Sequence, residues 1–168
     1  MEQVSRLSTH TVREGTSNRP DVASPGAALE SWQQAGKWFN FGGHAIFSRM
    51  EGEGDALLLL HGFPTASWDW NRLWPYLTGH FRVLVSDMIG FGFSDKPIDY
   101  TYSIDDQATL QQGWLEQLGV RRVHLLAHDY GCSVAQELLA REQEGTLPFE
   151  IASVCFLNGG LFPEVHRP

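Results

Sequence analysis

The fold is decided by the stretch VHLLAHDYGCSVA, residues 123–135. Its first half is a mainly apolar run typical of a buried strand, and its second half has the spacing of an amphipathic helix. Between the two lies Asp129, with the small residues Ala127 and Gly131 two positions before and after it. The pattern therefore predicts a strand that turns sharply into a helix, with a carboxylate at the turn.

A turn this tight would strain the backbone of its central residue, and only small side chains would fit two positions away. The first N–H groups of the helix would favour an ionised Asp129 and lower its pKa. A rigidly held anionic oxygen is what a nucleophile requires. The pattern is that of a nucleophile elbow, G-x-S-x-G, with Asp for Ser and Ala for the first Gly. The alternative is that Asp129 simply caps the helix, as Asp often does.

Length and composition predict one soluble domain. The 168 residues are 42% hydrophobic and 19% charged, which is enough for a sizeable core. Twelve basic against twenty acidic residues give a net charge of −8, which argues against a nucleic-acid partner or an anionic membrane surface. The longest apolar run, about seven residues, is far too short to span a membrane, and the N-terminus lacks the apolar core of a signal peptide. We therefore expect a cytoplasmic protein.

No cofactor or metal site is predicted. The two cysteines, Cys132 and Cys155, both lie in predicted apolar elements, so we expect buried, reduced thiols. The sequence has no C-x-x-C pair and no His/Cys cluster with zinc spacing. Gly90 and Gly92 suggest a phosphate loop, but no third glycine or opening helix follows them, so a nucleotide cofactor is not expected.

The chain reads as a leader followed by a portion of one α/β domain. The composition of residues 1–30, which has no hydrophobic period, predicts a disordered leader. Residues 31–36 are predicted to form a short helical turn. In the domain, 31–168, a hairpin with a Gly42-Gly43 turn comes first. Continuous apolar runs predict buried parallel strands, separated by gaps long enough for crossover helices. The strands are predicted at 56–60, 81–85, 123–127 and 151–157, and the helices at 68–77, from Ser103 to Gly119, and at 130–142.

Ligands of such a sheet bind at the carboxyl ends of the strands, and the first parallel strand is followed there by His61-Gly62-Phe63-Pro64. A Gly followed by a residue before proline favours an extended backbone, which could point the Phe63 N–H into the site. With the N–H of Tyr130 it would form a two-donor oxyanion hole. The alternative is an ordinary turn, since Gly and Pro are common in loops.

The loop after the second parallel strand predicts the rim of a pocket. Phe91 and Phe93 alternate there with glycines. We interpret the loop as structural and the two rings as apolar lining. Packing of either ring in the core is an equal alternative.

Three short motifs, in this order along the chain, resemble those of the α/β-hydrolase superfamily. The resemblance covers about residues 32–168, and the Asp at the elbow points to the epoxide-hydrolase and haloalkane-dehalogenase branch. The motifs are His61-Gly62-Phe63-Pro64, then Asp87, Gly90, Gly92, Ser94 and Pro97, then His128-Asp129-Tyr130-Gly131.

The resemblance implies an α/β-hydrolase fold, of which this chain carries the N-terminal hairpin and parallel strands but not the cap or the C-terminal strands. It implies that Asp129 attacks a saturated carbon of a small apolar substrate and forms an alkyl–enzyme ester, which water then hydrolyses. The oxyanion would form on the Asp129 carboxyl group, held by the N–H groups of Phe63 and Tyr130. Substrate contacts are assigned to five residues: His61, Gly62, Pro64, Phe91 and His128.

The resemblance also implies a catalytic acid after a later strand and a histidine near the C-terminus. Asn158 ends the fourth apolar run, where some relatives have the acid, and an amide cannot replace a charged orienter. The only histidine after the elbow is His166, eight residues beyond the last strand, so we expect no catalytic role for it. We therefore expect poor turnover by this chain, and self-association through an apolar sheet edge.

Two other functions and a second location stay open. A haloalkane dehalogenase usually holds the halide with an indole N–H beside the nucleophile, which Tyr130 does not supply. A non-catalytic binding or scaffold module would explain the missing base and cap, but not the retained elbow. The resemblance implies association with the endoplasmic reticulum for mammalian members, which the absence of a membrane span here does not support.

Overall fold

The computed structural model describes residues 25–159 and contains one mixed sheet. Its strands, in chain order, are β1 Lys37–Phe41, β2 His44–Glu51, β3 Ala56–Leu60, β4 Arg82–Ser86, β5 Arg122–His128 and β6 Glu150–Leu157. Its helices are α1 Pro25–Gln34, a 3-10 helix at Ser67–Trp70, α2 Trp74–Leu77, α3 Ile104–Gln117 and α4 Tyr130–Gln143.

The sheet has the order β1-β2-β4-β3-β5-β6. The hairpin of β1 and β2 is antiparallel and pairs antiparallel with β4, and the strands from β4 to β6 are parallel to one another. Gly42 and Gly43 make the hairpin turn with φ of 58° and 93°, a region that favours glycine. The predicted hairpin and all four predicted parallel strands are confirmed.

The core lies on both faces of the sheet because its central strand is apolar at every position. All five residues of β3 are buried. One face packs against α3 and α4 around Leu58, Leu125 and Leu138. The other packs against α1, the 3-10 helix and α2, where Trp32 and Trp74 meet edge to face at 5.0 Å. Burial on both faces is what continuous hydrophobic strands require.

Helix α3 begins and ends as its sequence predicts. The Ser103 hydroxyl accepts a hydrogen bond from the Asp106 N–H at 3.0 Å. At the other end, Gly119 has a φ of 66°, and the Val120 N–H donates to the Leu115 carbonyl at 3.0 Å. This is a Schellman ending, which satisfies carbonyl groups that the helix leaves unpaired.

Two predicted helices differ from the structure. Helix α1 begins at residue 25, so the last part of the predicted disordered leader is helical, while residues 1–24 lie outside the described residues. Tertiary contact explains the difference, because Trp32 is buried between Trp68 and Trp74. The predicted helix 68–77 is two short helices, the second with Pro75 in its first turn, where a missing N–H costs least.

One thiol is not where the sequence predicts. Both cysteines are free, and Cys132 is buried, but Cys155 is exposed. Strand β6 is the last strand of the described sheet, and its side chains alternate between half-buried and exposed, with Leu157 38% exposed. An apolar run therefore does not guarantee burial at a sheet edge. Within residues 25–159, no helix is long and apolar enough to cross a membrane.

Candidate active site

Asp129 lies at the sharp turn between β5 and α4. Its φ of 50° and ψ of −117° are unusual for a residue other than glycine, which indicates stored strain. The turn is held from both sides. The Asp129 N–H donates to the Leu157 carbonyl at 3.0 Å, and a Cβ added at Gly131 would lie 2.5 Å from the Leu60 carbonyl oxygen. Only glycine lets α4 start so close to β3.

The Asp129 carboxylate is held by two backbone amides. Its Oδ1 accepts hydrogen bonds from the Phe63 N–H at 2.9 Å and from the Tyr130 N–H at 2.6 Å. Its Oδ2 accepts none from any residue between 25 and 159. One oxygen is therefore fixed and the other is available. Two converging N–H groups can stabilise negative charge that develops on the oxygen they hold.

These bonds favour the ionised carboxylate. The Phe63 N–H contributes most to holding the pKa of Asp129 below its usual range, and the Tyr130 N–H and His128 add to it. Partial burial acts in the opposite direction and is outweighed. Asp129 is thus an anion at neutral pH, as a nucleophile must be.

The loop after β3 brings the Phe63 N–H to the carboxylate. A Cβ added at Gly62 would lie 2.8 Å from the Asp129 Cβ and 2.9 Å from Nδ1 of His128. Glycine is therefore needed for close approach. The Phe63–Pro64 peptide is cis, and the Phe63 ring is 67% exposed while its N–H faces Asp129.

His61 lies beneath the site rather than on its surface. Its side chain is fully buried, and burial lowers the pKa of its imidazole. The Met88 N–H donates to Nε2 at 3.0 Å, so Nδ1 carries the proton and donates to the Gly62 carbonyl at 2.9 Å. His61 joins the loops after β3 and β4, and no surface of its ring is open to a substrate.

The loop after β4 is held by Asp87, which explains its motif. The buried carboxylate accepts hydrogen bonds from the Ser67 N–H and the Phe93 N–H, both at 2.7 Å. The Ser94 hydroxyl donates to the Asp87 carbonyl at 2.6 Å. A Cβ at Gly92 would collide with the same carboxylate. The interpretation of this stretch as a structural loop is consistent with these contacts.

The two phenylalanines of that loop have different surroundings. Phe91 is half-buried beside the site, 5.3 Å from the His61 ring and 6.0 Å from the Tyr130 ring. Phe93 packs on the opposite face of the sheet, edge to face with Phe47 at 5.1 Å. Pocket lining thus describes Phe91, whereas core packing mainly describes Phe93.

The other residues considered in the sequence analysis have different surroundings. Half-buried His128 has no hydrogen bond to Asp129. Exposed Pro64 lines a separate hollow with Asp87. Asn158 is exposed at the end of β6 with a φ of 52°. His166 lies outside the described residues.

Sequence reasoning missed a hollow next to Asp129. Its volume is about 400 Å³, and we call it the aromatic hollow. Gln107 belongs to it, and the available signal was the pair Gln107 and Gln111, polar residues one turn apart on the buried face of α3. The hollow is lined by Phe63, Gly90, Phe91, Tyr102, Gln107 and Tyr130.

In the part of the chain that the structure describes, no group of three or more His, Cys, Asp or Glu residues is placed to hold a metal ion. An ionised carboxylate with one free oxygen can attack an electrophilic carbon, and the two amides can stabilise an oxyanion on the other oxygen.

The sequence profile of the α/β hydrolase fold family matches residues 55–166. Over 157 residues the chain is 48% identical to the mesoderm-specific transcript homolog protein of Bos taurus. The alignment covers 89% of this chain and 46% of that protein. It is 34% identical over 116 residues to a haloalkane dehalogenase of Agrobacterium fabrum, covering 69% of this chain and 36% of that protein.

A similar architecture is found in solved structures. The epoxide hydrolase CorEH superposes with a TM-score of 0.67 at 26% identity, over 79% of this chain and 46% of that one. The chain thus spans less than half the length of the proteins with which it was compared.

Proposed function

The chain belongs to the α/β-hydrolase fold family, and from that premise we propose that it is epoxide-hydrolase-like, with Asp129 as the nucleophile. The observation that carries the proposal is the hydrogen bonding of one carboxylate oxygen by two amides, those of Phe63 and Tyr130, while the other oxygen has no partner in residues 25–159. A helix cap needs no donor from a distant loop, but an oxyanion hole does.

In the first step, Oδ2 of Asp129 attacks a ring carbon of the epoxide. A carbon–oxygen bond forms, the ring carbon–oxygen bond breaks, and its electron pair stays on the ring oxygen, which takes a proton from solvent or from a donor. The product is an alkyl–enzyme ester on Asp129. Because the pKa of Asp129 is lowered, mainly by the Phe63 N–H, the attacking form is present at neutral pH.

In the second step, water attacks Cγ of the esterified Asp129. Negative charge develops on Oδ1, where the Phe63 and Tyr130 N–H groups already point, and collapse releases a diol and regenerates the carboxylate. This step needs a base to deprotonate water. The resemblance puts that base and its acid later in the chain than β6.

Two related proposals complete the assignment. The substrates are a small apolar epoxide and water, because the aromatic hollow beside Asp129 is lined mostly by rings. We place the protein in the cytoplasm, which agrees with its two free cysteines.

Haloalkane dehalogenation is the second candidate, favoured by the similarity to the dehalogenase. The first step would be the same, except that a halide leaves with the bonding electron pair. The ring next to the nucleophile weighs against it, because the phenol of Tyr130 has no indole N–H to hold a halide.

Intact-protein mass spectrometry tests the nucleophile. Incubation with a styrene-oxide-type epoxide should add the mass of one epoxide, and peptide mapping should place it on Asp129. Asp129→Asn should reduce the adduct to background, while Asp99→Asn, which changes an exposed carboxylate, should leave it unchanged.

The comparison of substrates decides between the candidates. Faster labelling by haloalkanes than by epoxides would favour a dehalogenase. Absence of an Asp129 adduct with both, in a chain whose circular dichroism shows that it is folded, would contradict the enzymatic proposal and favour a binding or scaffold module.

A further inference from the structure

The aromatic hollow adjoins the nucleophile. Phe63 and Tyr130, whose amides hold the Asp129 carboxylate, also contribute to its wall. Phe91 lies between them, with its ring 6.1 Å from that of Phe63 and 6.0 Å from that of Tyr130. A molecule whose reacting carbon lies at Asp129 would therefore have room in this hollow for its other end.

Few polar atoms of the hollow are free to bind that end. The Tyr102 hydroxyl already donates to the Pro97 carbonyl at 2.8 Å. Burial, followed by the charge of Asp106, raises the pKa of Tyr130, so its phenol keeps its proton. The rings therefore favour an apolar, uncharged ligand, because an ionised group would lose its hydration there.

Gln107 is the exception, because it has an unused acceptor. Its side chain is 0% exposed, and Nε2 donates to the Ile89 carbonyl at 2.9 Å. Its Oε1 is buried and has no hydrogen-bond partner among the described residues. Exchanging the two ends of the amide would place an oxygen against the Ile89 carbonyl, so the bond to Ile89 fixes Oε1 as the unpaired atom.

A buried acceptor without a partner is uncommon in folded proteins and needs an explanation. Within residues 25–159 the other such atom is Nε1 of Trp70, which lies in the tryptophan-rich core on the opposite face of the sheet. Gln107 differs because it lines a hollow beside the nucleophile. A ligand that donates a hydrogen bond would satisfy it.

We propose that the aromatic hollow binds the end of the substrate remote from its reacting carbon, and that Gln107 Oε1 accepts a hydrogen bond from a neutral hydroxyl on that end. The substrate class is thus an apolar epoxide that carries a hydroxyl group away from the ring. This inference rests on the proposed function, because it uses Asp129 to define where the reacting carbon lies.

Binding to an Asp129→Asn chain tests the inference without turnover. The ligands are terminal epoxides matched in chain length that end in a hydroxyl, a methoxy or a methyl group. Titration calorimetry should show the hydroxyl compounds binding roughly three- to tenfold more tightly than either analogue, the range expected for one net hydrogen bond. Equal affinity of the three ligands would overturn the proposal.

Variants of α3 identify the acceptor. Adding Gln107→Leu to the Asp129→Asn chain should abolish the preference for the hydroxyl compound. Adding Gln111→Leu instead should preserve it, because Gln111 is hydrogen-bonded to Ser86 and does not line the hollow. A preference that survives Gln107→Leu would contradict the assignment. If that variant fails to fold, the methyl ligand still decides, since a methyl group is close in size to a hydroxyl group but cannot donate a hydrogen bond.

The two proposals can fail separately. An Asp129 adduct with the wild-type chain but no preference for the hydroxyl ligand would refute only the role of Gln107. A hydroxyl preference that Gln107→Leu removes, with no adduct in the wild-type chain, would refute the nucleophile and leave the hollow as a binding site. Tighter binding of a matched amine than of the alcohol would refute the choice of a neutral donor.

Discussion

Helices α3 and α4 have the same length, 14 residues, but their N-termini are capped in different ways. Ser103 caps α3 from an extended backbone, with φ of −146°, and accepts from the Asp106 N–H in the first turn. Asp129 caps α4 from a φ of 50°, and its Oδ1 accepts from its neighbour Tyr130 and from Phe63, 66 positions earlier in the chain.

The cap of α3 only accepts a hydrogen bond from its own helix, whereas the cap of α4 is also held by a distant loop. An extended backbone costs α3 nothing, whereas a residue held in a sparsely populated conformation costs roughly 1–3 kcal/mol and persists only where its surroundings enforce it. Gly131 and Leu157 supply that support around Asp129. In exchange, the carboxylate keeps one fixed oxygen and one available oxygen. Three predictions test this comparison.

The largest effect is expected from Gly62→Ala. The new methyl group would lie 2.8 Å from the Asp129 Cβ, so the loop that carries the Phe63 N–H must move away. Misplacement by about 1 Å can reduce a rate by roughly 100-fold, and overpacking should cost about 1–3 kcal/mol in the free energy of unfolding. The measurements are the rate of Asp129 adduct formation and urea unfolding.

Gly113→Ala is the matched control for that substitution. Gly113 lies inside α3, and a Cβ there would meet nothing within 4 Å. This variant should leave the adduct rate unchanged and increase the free energy of unfolding by roughly 0.5–1 kcal/mol. An equal loss of adduct rate in both variants would contradict the role given to Gly62.

The second prediction concerns pH, since only one of the two caps is a titrating group. Because the pKa of Asp129 is lowered, chiefly by the Phe63 N–H, adduct formation should stay constant down to the usual carboxyl pKa of about 3.9 and then fall about tenfold per pH unit below the folded-state pKa. The stabilisation from Asp129 is present above the unfolded pKa and is lost as pH falls through the folded pKa.

Labelling rates from pH 8 to about pH 3, with circular dichroism at each pH to confirm folding, check this prediction. A half-maximal rate at a pH above the usual carboxyl pKa would show that burial outweighs the amide hydrogen bonds.

The smallest effect is expected from Ser103→Ala. Loss of the hydroxyl that accepts from the Asp106 N–H should lower the free energy of unfolding by about 1 kcal/mol. The adduct rate should not change, because the amides that hold the Asp129 carboxylate belong to Phe63 and Tyr130 and not to α3. Urea unfolding and the labelling rate measure the two quantities, and a slower labelling rate would show that the two helix ends are coupled.

Much of the fold could be predicted from the sequence because its signals are local. The strand–Asp–helix pattern gives the turn at Asp129, and Ser103 and Gly119 define the ends of α3. The convergence of the Phe63 and Tyr130 amides was predictable too, because strands β3 and β5 are parallel neighbours whose carboxyl ends meet at one edge.

The rest depends on contacts between residues far apart in the chain. The sequence could not show that His61 would be buried, because its position depends on Met88. It could not show that α1 would extend to Pro25, since Trp32 is fixed by residues more than thirty positions later. The exposure of Cys155 likewise follows from its place on the outer strand of the described sheet.

By itself the sequence determined that this chain forms an α/β sheet with a carboxylate at a sharp turn, because hydrophobic period and turn residues act over a few positions. Within residues 25–159, the tertiary structure alone decided which oxygen of Asp129 is held and which has no partner, and that the buried Gln107 Oε1 is left unpaired. Hydrogen-bond partners from distant loops are fixed only when the whole sheet is assembled, so no local pattern encodes them.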